Sequence, residues 1–185
     1  QHMGITAERV AAQYGITRQA QDAFAYASQQ KAIAAVDSGA FKEEIVPVTV
    51  KQKKEDLVFD TDEYVNRKTS PEKLSALRPA FQKDGTVTAG NASGINDGAA
   101  FVLVAAEAAV ERYGLSPLCE IVGFGQGGVE PGVMGLGPVP AIRRALQMAG
   151  LSLSDMDYVE LNEAFAAQSL GVLTELCREH GVSME

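Results

Sequence analysis

Residues that could bind or activate a small ligand are concentrated in three short stretches. These are GNASGINDGAA at residues 90–100, VMGLGPVPA at 133–141 and NEAFAAQ at 162–168. The first two are glycine-rich turns that lead into regular structure, where a missing side chain lets another group approach the backbone. The third lies where the apolar run DYVEL ends and a helix begins. Taken singly, each is also explained as an ordinary turn or helix start, because Asn162 is a good N-cap residue.

The chain offers little for metal or disulfide chemistry. It contains two cysteines, Cys119 and Cys177, and two histidines, with no CxxC pair. We therefore expect neither a zinc site nor a disulfide framework. Both cysteines are predicted to be buried structural thiols, one at the start of a strand and one on a helix face. His180 precedes a glycine, which is typical of a helix C-terminus.

Composition restricts the class of protein. The chain has 185 residues, is 46% hydrophobic and carries a formal charge of -8, which predicts a soluble globular protein. The acidic balance argues against a nucleic-acid or anionic-membrane partner. No run of about 18 apolar residues is long enough for a membrane span, and the N-terminal segment lacks a signal-peptide pattern. We expect a cytoplasmic protein.

The elements that position the three stretches follow from periodicity and turn residues. Thr17 can cap a helix that ends before Gly39, and Ser70 with Pro71 marks a short helix start. EIVPVTVK alternates as a half-buried strand does, with Pro47 suggesting an edge. From residue 98 onward, apolar strands at 98–104, 119–124 and 157–161 alternate with helices. This pattern predicts an α/β core with a parallel sheet, in which ligands bind outside the carboxyl ends of the strands.

In this order, and together with HMGITAERVA, FKEEIVPV and LRPAF, the three stretches resemble the thiolase family. The similarity covers essentially the whole chain and is strongest to the acetyl-CoA C-acetyltransferases. It implies an α/β thiolase-like fold of two βαβαβ halves, with a loop domain that covers coenzyme A. Residues 1–95 would form most of the loop domain, 96–116 the last strand and helix of the first half, and 117–185 the beginning of the second half.

The resemblance also implies roles for individual residues. Asn162 matches the asparagine that positions a water in the family's oxyanion hole, where a donor stabilises enolate charge. Ser93 matches the serine that lies against the pantetheine arm, so the small residues around it would let coenzyme A approach the backbone.

The same resemblance assigns four further residues to coenzyme A or substrate, and a fifth, Arg67, follows a departure from the family pattern, because Asn66 stands where many members have an arginine. Met134 and Phe165 match residues lining the acyl pocket, although as apolar side chains they could equally belong to the core. His2 and Met3 match a pair near the pantetheine, with an expression-tag remnant as the ordinary explanation. Arg67 could meet phosphate or adenine, and a solvated charge run explains it equally well.

Three blocks of the family pattern are absent from the sequence. They carry the nucleophilic cysteine, the GHP-type histidine and the acid-base cysteine of a CxGxG-type block. We therefore expect this chain to be the middle of a thiolase, cut at both ends.

The activity implied is ping-pong acetyl transfer between acetyl-CoA, acetoacetyl-CoA and coenzyme A, with thioesters as substrates and no resident cofactor. A homodimer or homotetramer in fatty acid metabolism is expected. Two alternatives stay open: a non-catalytic coenzyme-A-binding or assembly fragment, and a 3-ketoacyl-CoA thiolase of longer-chain specificity. A ketoacyl synthase is disfavoured, because those enzymes place a histidine where Asn162 stands.

Overall fold

A computed structural model describes residues 2–183, which form helices and one short sheet. The helices are α1 (Met3–Tyr14), α2 (Arg18–Ser38), α3 (Pro71–Ser75), α4 (Glu107–Tyr113), α5 (Pro138–Ala149) and α6 (Ala166–His180). Strands β1 (Val48–Val50) and β2 (Leu57–Phe59) pair antiparallel, and 3-10 turns cover Pro131–Leu136 and Leu153–Asp155.

Local sequence signals set the helix ends. The hydroxyl of Thr17 accepts the backbone amide of Ala20 at 3.1 Å, and α2 ends at Gly39 in the left-handed conformation. Ser70 caps α3 in the same way, with Pro71 in its first turn. Left-handed glycines also follow α1, α4, α5 and α6. Both predicted helix starts are confirmed, because caps of this kind depend only on neighbouring residues.

The core lies between α1, the turn Pro131–Leu136, α5 and α6. Its main cluster of buried side chains consists of Val10, Leu136, Val139, Val172 and Leu176. α1 and α6 approach closely at Gly171, where an added Cβ would lie 2.5 Å from Cγ1 of Val10. A second cluster, Ala7, Ala11, Val87 and Ala167, attaches the segment before the glycine-rich loop to the same two helices.

The predicted parallel strands are not formed within residues 2–183. The segments 98–104, 119–124 and 157–161 make no strand pairing there, and their apolar side chains face solvent. Phe101 is 95% exposed and Tyr158 is 94% exposed. A parallel strand needs hydrogen-bonding neighbours and helices on both faces, and the described residues do not supply them. β1 follows Pro47 as expected, but it is exposed rather than half-buried.

Helix α5 nevertheless packs closely on residues 123–127. A Cβ at Gly125 would lie 2.1 Å from the carbonyl oxygen of Ala141, and one at Gly123 would lie 2.8 Å from that of Ala145. The glycines therefore allow backbone-to-backbone contact that no other residue permits. The helix is held further by Arg144, whose guanidinium donates to the carbonyl of Gln126.

The cysteines differ from the prediction. Cys119 is exposed and Cys177 is partly buried, so neither is the fully buried thiol expected. Cys119 is exposed because the segment it opens has no sheet neighbour. His180 is the last residue of α6, as predicted. Among the helices described, none has the length and apolar character needed to cross a membrane, and the described side chains include no cluster of metal-binding type.

Candidate functional site

A buried carboxylate on α1 holds the segment that leads into the glycine-rich loop. Glu8 is 7% exposed, and its oxygens accept the backbone amides of Thr86 and Val87, each at 2.9 Å. The hydroxyl of Thr86 donates to the same carboxylate at 3.0 Å. Hydrogen bonds to an ionised acceptor are stronger than neutral ones, so α1 fixes the start of the loop firmly.

Asn91 fixes the loop from the inside. It is 3% exposed; its Oδ1 accepts the amide of Thr88 at 2.7 Å, and its Nδ2 donates to Oδ1 of Asp22 at 2.9 Å. Asp22 pairs in turn with Arg18 at 2.7 Å. The buried side of α2 is thus polar, formed by Gln21 and Asp22, and it serves to hold this loop.

The loop then pairs with the NEAF stretch. Both the backbone amide and the hydroxyl of Ser93 donate to the carbonyl of Ala164, at 3.0 and 3.1 Å. The amide of Ala166 donates to the carbonyl of Asn91 at 2.9 Å, and Ala92 forms an antiparallel bridge with Phe165. Two stretches that lie about 70 residues apart in sequence therefore form one surface.

Four predicted site residues line a single cleft of about 220 Å³. Met3, Met134 and Phe165 make its apolar walls, and Asn162 contributes an amide. The α1 helix, the turn Pro131–Leu136 and the start of α6 supply the rest of the lining. The structure thus brings together residues that are separated by up to 162 positions.

His2 and Phe81 extend this site. The imidazole Nδ1 of His2 accepts the amide of Gly4 at 3.1 Å, which caps α1. Its ring lies 4.9 Å from that of Phe81, and Phe81 meets Phe165 edge-on at 6.0 Å. Phe81 is the last residue of the LRPAF block, and it was not predicted as a site residue. The family block was the only signal for it, since the side chain lies in an irregular segment.

A second cleft, of about 420 Å³, lies on the other side of the paired loops. Ser93 lines it together with Ser28, Tyr64 and Glu163. Asn162 belongs to both clefts. Its side chain makes no hydrogen bond to any residue in the described range 2–183, so the amide is available to a ligand or water.

Gln168 was not predicted and lies in the wall of the first cleft. It is 5% exposed, and its Oε1 finds no hydrogen-bond partner among the described residues. Its neighbours in the sequence are apolar or small, so the sequence predicts only that Gln168 lies on one face of a helix. Only the assembled cleft reveals its position.

Comparison with known families shows which family the chain belongs to. The family model "Thiolase, N-terminal domain" matches residues 1–108, and "Thiolase, C-terminal domain" matches residues 115–181. The chain belongs to the thiolase family. Among curated thiolase relatives, the acetyl-CoA acetyltransferase of Syntrophomonas wolfei is 56% identical over 95% of this chain and 44% of its own length. The acetyl-CoA acetyltransferase of Escherichia coli is 58% identical over 92% of this chain and 43% of its own length.

Solved thiolase structures share the fold. The Bacillus anthracis acetyl-CoA acetyltransferase superposes with a TM-score of 0.92 at 49% identity, covering 96% of this chain and 46% of that one. The human mitochondrial 3-ketoacyl-CoA thiolase in complex with CoA superposes with a TM-score of 0.88 at 47% identity, covering 98% of this chain and 44% of that one. The chain thus spans less than half the length of the thiolases it matches. The predicted α/β thiolase-like fold is confirmed, whereas the three domain boundaries stay a prediction.

The N-cap interpretation of Asn162 is wrong. Helix α6 starts after Phe165, whose side chain makes no capping hydrogen bond. Asn162 lies three residues further back, because the bridge between Ala92 and Phe165 keeps the chain extended before the helix. The asparagine is therefore exposed to both clefts, and within residues 2–183 its side chain has no hydrogen bond to lose.

Two of the three glycines of the glycine-rich loop are closely packed by the protein's own side chains. A Cβ at Gly90 would lie 2.6 Å from side-chain atoms of Leu74 and Leu77, and one at Gly94 would lie 2.4 Å from the ring of Tyr64. Neither glycine has a positive φ, because the described residues with a positive φ are the five glycines that follow helices. At Gly90 and Gly94 the close approach is therefore made by the protein itself, whereas Gly98 has open space beside it, and an approach of coenzyme A to this loop stays a prediction.

Arg67 is not brought to either cleft. Its guanidinium donates to the carboxylate of Asp37 at 2.6 and 3.0 Å, at the C-terminal end of α2. This hydrogen bond lowers the pKa of Asp37 and raises that of Arg67. Both side chains are more than half exposed, so a binding role for Arg67 stays a prediction.

Proposed function

We propose that this chain is the central, coenzyme-A-binding part of an acetyl-CoA acetyltransferase. The complete enzyme would transfer an acetyl group between coenzyme A thioesters to form or cleave acetoacetyl-CoA. One observation carries the proposal: Met3, Met134 and Phe165 line the same cleft as the amide of Asn162, which no described residue engages. The names of the relatives and the CoA complex of a similar structure support it.

The cleft suits the chemistry of a thioester. Its walls are apolar and can accept an acyl chain, and Asn162 is a polar group at the junction with the second cleft. Removal of a proton from the methyl group of acetyl-CoA places enolate charge on the thioester oxygen. A preorganised donor that hydrogen-bonds that oxygen, directly or through a water, lowers the barrier by about 3–4 kcal/mol.

The covalent steps need groups from outside these 185 residues. A cysteine thiolate would attack the carbonyl carbon of the first thioester, and coenzyme A would leave as its thiolate. The enolate of a second acetyl-CoA would then attack the acyl-enzyme and release the cysteine. A histidine and a second cysteine would carry the protons. Coenzyme A thioesters are substrates here, and no resident cofactor is proposed.

The length of the acyl chain distinguishes two thiolase functions. Met134 and Phe165 line the first cleft, and if the acyl chain binds there their bulk would leave little room for a longer one, which favours acetyl and acetoacetyl thioesters. Likeness to the human mitochondrial 3-ketoacyl-CoA thiolase favours the longer-chain alternative. Thiolysis by the complete enzyme should have a much higher kcat/KM for acetoacetyl-CoA than for a ten-carbon 3-ketoacyl-CoA. Equal values for both would reject the short-chain proposal.

A non-catalytic coenzyme-A-binding fragment is the second candidate, because the sequence lacks all three catalytic blocks. The intact mass of the protein in its source cells separates the two: a mass near 19.6 kDa favours the binding fragment, and about twice that favours the enzyme. For the enzyme we further propose a cytoplasmic homodimer or homotetramer that acts in fatty acid metabolism.

A further inference from the structure

The loop that carries Asn162 is fixed firmly on one side only. From Ala164 onward, hydrogen bonds to Ser93 and Asn91 and the bridge at Phe165 hold it in place. Before Asn162, residues 157–161 make no strand pairing within the described chain, and most of them are exposed. Asn162 thus lies between a fixed segment and a loosely held one.

One side-chain contact holds the loop directly beside Asn162. The hydroxyl of Ser28, in the middle of α2, donates to Oε2 of Glu163 at 2.6 Å. The two residues are 135 positions apart, and both line the second cleft next to Asn162. This distance is typical of a hydrogen bond to an ionised carboxylate, which is stronger than a neutral one.

We propose that Ser28 and Glu163 are positioning residues for Asn162. This inference rests on the proposed function of Asn162 as an oxyanion-hole group. Helix α2 is a rigid support, because its Asp22 also holds Asn91 of the glycine-rich loop. Through Ser28, the same helix holds the exposed side chain of Glu163, the residue that follows Asn162.

Positioning of this kind affects turnover more than binding. An oxyanion-hole donor acts only where its distance to the developing charge is right, and a displacement of about 1 Å can cost up to 10²-fold in rate. Ground-state contacts of coenzyme A do not depend on that distance. Loss of the contact between Ser28 and Glu163 should therefore lower kcat and leave KM nearly unchanged.

The test uses the complete enzyme and four variants. We expect Glu163→Ala and Ser28→Ala each to lower kcat about 10-fold, with KM within about 2-fold. The double variant should lose no more than either single variant, because both remove one interaction. Glu163→Gln keeps an acceptor for the hydroxyl and should recover most of the loss. Hydrogen exchange in a peptide covering residues 157–165 should be faster in both alanine variants.

Ser38→Ala is the matched control, since Ser38 lies on the same helix and its hydroxyl donates to the carbonyl of Ala35 within that helix. Additive losses, a raised KM with normal kcat, or exchange as slow as in the wild type would each overturn the inference. A wild-type enzyme without thiolase activity would reject the proposed function instead. The exchange measurement would then still decide whether Ser28 and Glu163 fix the loop.

Discussion

At the scale of single residues, Asn162 combines exposure to two clefts with a side chain that no described residue engages. We expect Asn162→Ala in the complete enzyme to slow turnover about 10²–10³-fold, the effect of losing one oxyanion-hole donor. Coenzyme A affinity should change little. Steady-state kinetics and calorimetric binding measure the two effects separately.

The melting temperature of the same variant provides the control. Since Asn162 does not cap α6, its removal should cost less than about 0.5 kcal/mol, as for other surface substitutions. A large fall in melting temperature with normal turnover per folded molecule would mean that Asn162 has a structural role after all.

Ser93 should show the opposite kinetic pattern. Ser93→Val removes a hydroxyl that faces the second cleft and donates to Ala164, but the backbone amide of residue 93 still holds that carbonyl. The loop should therefore keep its path while a ground-state contact is lost. We expect KM for coenzyme A thioesters to rise about 10-fold with kcat nearly unchanged. A variant that loses kcat at unchanged KM would place Ser93 with the positioning residues.

At the scale of elements, the Glu8 carboxylate connects α1 to the start of the glycine-rich loop. Glu8→Gln can keep one acceptor oxygen for the amides of Thr86 and Val87 and direct its new amino group at the hydroxyl of Thr86, so it removes the charge of the acceptor and keeps the contacts. The expected loss is about 1–2 kcal/mol of unfolding free energy, because neutral hydrogen bonds replace charge-assisted ones at two backbone amides. Chemical unfolding of the complete enzyme measures it.

Glu43→Gln is the comparison for this variant, because Glu43 is exposed. It should change stability by less than about 0.5 kcal/mol. Equal stability of the two variants would show that the loop is held chiefly by Asn91 and the apolar cluster around Val87.

An element can be predicted from sequence when the residues that determine it are close to it in the chain. The ends of α2 and α3 follow from Thr17, Gly39 and Ser70, which act on residues at most four positions away. The predicted strand at 98–104 depends instead on neighbours that residues 2–183 do not provide. Apolar composition indicates what a segment can bury, and only its partners decide whether it pairs.

The site was predictable in part for the same reason. Family blocks indicated Met3, Met134 and Phe165, and the structure places them in one cleft with Asn162. Phe81 and Gln168 were missed, because their proximity arises from the pairing of distant loops. The polar buried side of α2 was also missed, since apolar periodicity cannot reveal a helix that packs through hydrogen bonds.

At the scale of the whole molecule, the exposed apolar side chains predict how the isolated chain behaves. Phe101, Val102 and Leu103 are 84 to 95% exposed, and Ile121 and Phe124 are about two thirds exposed or more. Contiguous apolar surface of this kind favours association. We expect the 185-residue chain, expressed alone, to elute as oligomers or aggregates in size-exclusion chromatography with light scattering.

The isolated chain should also lack thiolase activity, because it has neither the nucleophilic cysteine nor the residues for proton transfer. Loss of acetoacetyl-CoA on addition of coenzyme A, measured with and without iodoacetamide, tests this. Iodoacetamide should alkylate the exposed Cys119 without any change in rate. Turnover by a homogeneous 19.6 kDa chain that iodoacetamide abolishes would assign catalysis to Cys119 or Cys177.

The glycines that face α5 also decide from which side residues 119–127 can be covered. The helix backbone already occupies one side, at a distance that excludes even a methyl group at Gly125. Val122 and Phe124, at alternate positions, are 57% and 67% exposed. Further segments can add at the edges or over these side chains, but they cannot enter between the segment and its helix. Any further segment that packs on residues 119–127 must therefore bind on the side opposite helix α5 or along the edges of the segment.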